Sequence, residues 1–259
     1  MPRTKAALAA VDIIDNELIY LQLSTERGNV FIHQWHKQKA NTAWNKGLDC
    51  RELMTVMEHR ASHYQRLTQP SATDNVTSFV HETYGGTADY TQDIVLDYQY
   101  DPTSTHVISA HSSQVKKRQQ LFAQLAGPLS IVEPAFQAIL RATNFLLGQG
   151  ELITSCPCEQ WLIVELSHPL STCLFCHHGC LDRLQFVAES ELHEVITNSP
   201  LTLYFGDETK FSETTQNLLN TAIELQLPKS MGDFSSAVGS TAAISLFGNA
   251  LRGFSSWHH

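Results

Sequence analysis

The chain has 259 residues, 42% hydrophobic and 17% charged, with 17 Lys and Arg against 26 Asp and Glu for a net charge of −9. That length can bury a proper core in one large or two small domains, and the composition is that of a globular protein. The acidic balance argues against a nucleic-acid interface, which needs clustered Lys and Arg, and no run of ~20 apolar residues predicts a membrane helix.

The chain opens on a hairpin over residues 6–23. Two apolar runs flank a polar Asp15-Asn16-Glu17 turn, and Asp12 lies inside the first strand. Met1-Pro2-Arg3-Thr4-Lys5 has no long apolar run behind it, so a secretory leader is not expected and the cytoplasm is. Residues 28–35 extend the hairpin to a three-stranded meander. Asp49 and Glu52 have capping-box spacing, and Leu53, Met57, Ala61 and Tyr64 follow at helical intervals. An amphipathic helix is therefore predicted over 50–67, ended by Pro70-Ser71.

A second sheet unit is expected from strands at 75–84, 94–100 and 106–110. Ser113 then caps a helix to Ala126, stopped by Gly127-Pro128. Gln114-Val115-Lys116-Lys117-Arg118, the basic run of the chain, reads as one exposed turn of that helix. Residues 130–132 form a short strand. Pro134 suits the first turn of a helix with Ala138, Ile139, Ala142, Phe145 and Leu146 on one face and Gly148 at its end.

From Trp161 the opening pattern returns. Strands are predicted at 161–166, 171–177 and 184–188, then a helix from a Ser190 cap to Asn198 and a strand at 201–205. A helix over 212–225 follows, broken by Pro228, and a last helix rich in small residues begins near Phe234. The weakly polar stretch 237–251 suits a buried helix better than a membrane span. Two halves that each begin with a meander suggest an internal duplication, inferred from pattern alone.

Two such halves are the plan of the actin-like ATPases. The order Val95-Leu96-Asp97-Tyr98, Val107-Ile108-Ser109-Ala110, Gln114-Val115, Leu125-Ala126-Gly127-Pro128, Ile131-Val132-Glu133-Pro134 and Leu140-Arg141 resembles the type IV pilus assembly protein PilM family. Leu203-Tyr204-Phe205-Gly206 and Phe234-Ser235-Ser236-Ala237-Val238-Gly239 look like that family's closing strand and helix. The resemblance runs in order over most of the chain and is nearest the compact ComA and HofM competence type. Cytoplasmic domains of type II secretion and MSHA pilus systems are near neighbours.

The resemblance implies an α/β (α+β) fold, actin-like or ribonuclease H-like, with a duplicated βββαβα plan and an inserted small subdomain. Residues 1–70 with 126–150 would form the first half, 71–125 the insertion, and 151–259 a shortened second half. It further implies a pseudo-ATPase scaffold at the inner-membrane face. Such a scaffold binds the cytoplasmic tail of a PilN-like membrane protein, joins PilO and PilP indirectly, and supports pilus biogenesis and DNA uptake. The working groove would lie between the first sheet and the insertion, about residues 70–125.

An ATP·Mg²⁺ site of this fold needs two phosphate hairpins with close backbone donors and an acid for the metal. In the first hairpin only Asp12 matches, and the turn has no glycine. In the second, Ile163-Val164-Glu165-Leu166-Ser167-His168, Glu165 stands as a shifted substitute. Gly206 and Asp207 are what remains of the adenosine side, and Gly239 persists in the closing helix. These four residues, Asp12, Gly206, Asp207 and Gly239, are the candidate remnants of a nucleotide pocket. No catalytic residue is assigned, and no ATPase activity is expected.

Zinc is the other candidate. Five of the 6 cysteines, Cys156, Cys158, Cys173, Cys176 and Cys180, cluster with His177 and His178. Cys173 and Cys176, however, are three apart in a predicted strand and should face opposite sides. Buried thiols are the simpler reading. The alternatives to a scaffold are thus a divergent ATP-binding ATPase of a pilus or type II secretion system, or a zinc-binding regulatory domain. No Gly-x-Ser-x-Gly or His-Glu-x-x-His occurs, and His258-His259 reads as a solvated tail.

Overall fold

The computed structural model describes residues 4–5, 8–27, 29–40, 52–68, 93–100, 104–125, 129–148 and 159–254. The opening hairpin forms as expected, from β2 (Leu8–Ile14) and β3 (Glu17–Glu26), preceded by the short β1 (Thr4–Lys5) and followed by β4 (Asn29–Lys39). Asp15 and Asn16 sit at φ 50° and 62°, the left-handed pair of a tight two-residue hairpin turn. Asp and Asn accept this conformation more readily than most side chains, so the turn closes without glycine.

The helix predicted over 50–67 is replaced by β5 (Glu52–Met57), a 3-10 turn (His59–Ala61) and β6 (Ser62–Thr68). Leu53, Met54, Thr55, Val56 and Met57 are all buried. A strand covered on both faces reads as an unbroken apolar run, in which helical spacings also occur. β5 lies parallel to both β2 and β9 (Leu129–Pro134). Pro134 thus ends a strand, and the helix α2 (Ala135–Gly148) starts one residue later.

The second half contributes β10 (Gln160–Leu166), β11 (Leu170–His177), β12 (Cys180–Ala188), α3 (Glu189–Thr197), β13 (Thr202–Gly206), α4 (Glu213–Leu219) and β14 (Ile223–Glu224). The cap of α3 falls at Ala188 rather than Ser190, whereas Ser212 does cap α4, its hydroxyl accepting the Thr215 N–H. The helix expected over 212–225 stops early, because Ile223 and Glu224 join the sheet beside β13. The closing helix is two, α5 (Gly232–Val238) and α6 (Ser240–Leu251), separated at Gly239, whose φ of 85° breaks the helical path.

The two large sheets share one order, β4-β3-β2-β5-β9 and β12-β11-β10-β13-β14. In each, an antiparallel meander is followed by two parallel strands. The suspected duplication is therefore visible in topology. Between β5 and β9 the first half carries a third sheet, β6-β8-β7, built with β7 (Ile94–Tyr100) and β8 (Ser104–His111), and the helix α1 (Ser112–Leu125). The strand Ser62–Thr68 belongs to this sheet, so the added unit begins before residue 71. The strand expected at 75–84 and the stops at 70–71 and 127–128 lie outside the described residues.

α2 and α6 are shared by both halves. Ile139, Phe145 and Leu146 of α2 and Ile244, Phe247 and Leu251 of α6 join one core with Ile19 and Leu21 of the first sheet and Ile163, Leu174 and Phe205 of the second. The two helices cross so closely at Gly248 that an added Cβ would lie 1.8 Å from the Ala138 carbonyl oxygen. The outer face of the first sheet is covered by Phe122 of α1, and that of the second by Leu192, Ile196 and Leu219. Among the described residues no helix is long and apolar enough to cross a membrane.

Candidate functional site

Asp12 stands near the end of β2, three residues before the Asp15-Asn16 turn. Its Oδ1 accepts the Ile13 N–H at 2.7 Å and an N–H of the Arg118 guanidinium. Arg118 also donates to Thr55 Oγ1 at 3.3 Å and lies 5.1 Å over the Phe122 ring. The basic run is exposed at Lys116 and Lys117, as expected, but Arg118 turns inward. Its apolar neighbour one turn on, Phe122, is the sequence signal for that orientation. Burial raises the Asp12 carboxyl above the ordinary carboxylate range, and the Arg118 charge pulls against it.

Glu165 meets a base in the same way. Its Oε2 is 2.6 Å from His59 Nε2, and the His59 ring stacks on Phe136 with centroids 6.4 Å apart. His59 sits in the 3-10 turn that follows β5, within the segment whose sequence predicts a helix. The acids of both hairpins are therefore engaged by cationic or basic side chains of the chain itself. A cation at Asp12 would have to displace a guanidinium that has two oxygen partners and an aromatic face.

The other nucleotide candidates are occupied locally. Gly206 ends β13 opposite Leu166 at φ 119°, and an added Cβ would lie 2.7 Å from the Leu166 carbonyl oxygen, so close strand packing accounts for this glycine. Asp207 caps a 3-10 turn, accepting from Thr209 N and Oγ1, and pairs with Lys210 at 3.4 Å. Those hydrogen bonds from Thr209 hold its carboxyl below the ordinary range. Gly239 serves the α5–α6 break.

Cys173 and Cys176 do face opposite sides of the second sheet. Cys173 packs with Leu162, Val164 and Val187, and Cys176 with Trp161, Ile163 and Leu181. They cannot share one ion, and Cys156 and Cys158 lie outside the described residues. Burial pushes both thiols up to about 12 from an ordinary 9.0. Brief alkylation of the native protein, followed by peptide mass mapping, should label the exposed Cys180 and leave Cys173 and Cys176 protected. Because these raised values favour the neutral thiol in the fold, their contribution to stability is full below about 9 and is lost as pH climbs toward 12.

Beside the Asp12–Arg118 pair runs a cleft of about 300 Å³ between the end of β5 and α1, lined by Met57, Ala61 and Leu121 with Glu58, Gln114 and Lys117. The exposed large hydrophobics of the described residues are Val95 at 47%, Leu96 at 36% and Leu121 at 39%. All three belong to the added unit. Among the described residues β7 is also an edge strand, paired only with β8. An extended peptide could pair with such an edge, and the cleft at Leu121 offers a separate apolar seat.

This architecture is the actin-like ATPase fold. No family model and no curated protein matches the sequence. Among solved structures, a chain of the PilM–PilN type IV pilus biogenesis complex superposes with a TM-score of 0.68 at 10% identity, covering 96% of this chain and 98% of that one. A Bacteroides thetaiotaomicron protein with an actin-like ATPase fold and unknown function gives a TM-score of 0.50 at 4% identity over 92% and 95% of the two chains. The cytoplasmic domain of EpsL, an inner-membrane component of the Vibrio cholerae type II secretion system, gives 0.45 at 10% identity over 85% and 94%. At these identities the likeness is one of fold.

Proposed function

We propose that this chain is a non-catalytic, PilM-like scaffold at the cytoplasmic face of the inner membrane in a type IV pilus or competence apparatus. Its partner is the cytoplasmic tail of a PilN-like membrane protein, through which it meets PilO- and PilP-type components and serves pilus biogenesis and DNA uptake. The carrying observation is that the exposed large hydrophobics of the described residues, Val95, Leu96 and Leu121, all belong to the added unit, two on its edge strand and one at the β5–α1 cleft. The fold shared with a PilM–PilN complex supports the same reading. We take the added unit to span about 62–125, with the remaining residues divided between the two halves as the sequence suggests.

Calorimetry with a synthetic tail peptide of the PilN-like protein tests this. The peptide should bind without nucleotide, and Leu121→Asp, a change at an exposed position, should weaken it at least about tenfold, or ~1.4 kcal/mol. ATP·Mg²⁺ should not be hydrolysed and should bind weakly at most, given the engaged Asp12 and Glu165. Clear ATP binding with no peptide binding would sink the scaffold reading in favour of an active ATPase.

A further inference from the structure

We infer that Glu159, His177 and His178 form a site for a divalent metal of the zinc class, at the far end of the second sheet from the nucleotide-like hairpins. Their ligand atoms all lie within 4.8 Å of one another. His178 Nε2 is 3.7 Å from Glu159 Oε2, and the two imidazole centroids are 4.2 Å apart. Zinc bonds of about 2.0–2.2 Å place tetrahedral ligand atoms roughly 3.4 Å apart. Small rotations of two exposed side chains and the half-buried His177 therefore suffice to close the site.

The backbone fixes the three residues independently of any ion. His177 ends β11, where it pairs with Gln160 of β10 and with Cys180 of β12. His178 and Gly179 make the two-residue β11–β12 turn with φ of 50° and 80°. A histidine at positive φ is costlier than glycine there, yet the turn is held firmly. The His178 N–H donates to the Glu159 carbonyl at 2.7 Å, and Asn144 of α2 donates to the Gly179 carbonyl at 2.9 Å. Three donors of the right type thus converge on a rigid hairpin end with little desolvation to overcome. An exposed His–Glu contact alone would be worth little; it is the second imidazole that makes the set a chelate.

Two imidazoles and a carboxylate leave a fourth tetrahedral position for water or an incoming ligand, the arrangement of open rather than closed zinc sites. His177 also lines a cleft of about 630 Å³ between β10–β12 and α3, together with Trp161, Asp182, Arg183 and Glu194. The site differs from the cysteine cluster that the sequence suggested, since it uses no thiol.

Cobalt(II) titration of the full chain, followed by competition with Zn²⁺, tests this directly. The wild type should bind one equivalent with visible bands of nitrogen and oxygen ligation and without thiolate charge-transfer bands. His178→Ala and Glu159→Gln should each lose more than about 10-fold in affinity, since even the outer partners of metal-bound histidines are worth about 10–100-fold. The double change His258→Ala, His259→Ala should keep the wild-type affinity. Unchanged affinity in His178→Ala, thiolate bands, or loss of binding in the tail variant would each overturn the assignment. Circular dichroism of these surface variants confirms that the fold is intact.

Discussion

Replacing Glu133 by alanine is expected to cost about 3–5 kcal/mol, the range for stranding one member of a buried ion pair. Glu133, at the end of β9, is only 1% exposed. Arg141 of α2 grips it with both guanidinium nitrogens at 3.0 Å and also donates to the Gly248 carbonyl of α6 at 2.8 Å. Arg252, just past α6, donates to Glu133 Oε2 at 2.9 Å. One carboxylate thereby ties the last strand of the first sheet to both shared helices. Without it, Arg141 keeps one neutral partner in a dry setting.

Arg252 adds little to that cost, because it is 32% exposed and can turn to water. Arg252→Ala should accordingly cost no more than about 1 kcal/mol. Urea unfolding midpoints of the two variants check the contrast, and near-equal losses would refute it. Against a total stability of about 5–15 kcal/mol, the Glu133 change alone removes a large share.

The same residues show what a sequence does and does not carry. Ile131-Val132-Glu133-Pro134 and Leu140-Arg141 entered as marks of a family resemblance, yet the pairing of Glu133 with Arg141 and Arg252 could not be read from them. It depends on where α6 returns, 119 residues later. The meanders were legible because alternation and turn chemistry are local, and the opposite facing of Cys173 and Cys176 followed from strand period alone. β5 was lost because a strand buried on both faces has no alternation to show, while Asp49 and Glu52 happened to offer a capping spacing. The Glu159–His177–His178 group lay within reach, since the β10–β11 register that sets Gln160 against His177 also brings Glu159 to the turn. Its signal was masked by the more numerous cysteines.

Arg118→Met should destabilise the chain by up to about 3 kcal/mol at neutral pH, the low end of the range for a buried pair because this one is part-buried, and much less in mild acid. Methionine keeps an unbranched stem beside Phe122 but removes the guanidinium that Asp12 and Thr55 share. Asp12 already has its carboxyl raised by burial, with Arg118 the foremost influence holding it down. Deleting Arg118 lets burial act with less opposition, so the folded value moves further above the ordinary 3.8. A folded value above the unfolded one means that the fold binds the proton more tightly. Its contribution is therefore complete below the ordinary carboxylate range and lost as pH rises through the folded value. The gap between variant and wild type should widen from mild acid to neutrality. Adding Asp12→Asn to Arg118→Met should close much of it, because the buried charge goes too, and a double-mutant cycle measures the coupling. A pH-independent gap, or no recovery in the double variant, would mean that Asp12 and Arg118 act separately. Recovery would show that Asp12, at the opening hairpin, serves to hold α1, and with it one wall of the β5–α1 cleft, against the first sheet.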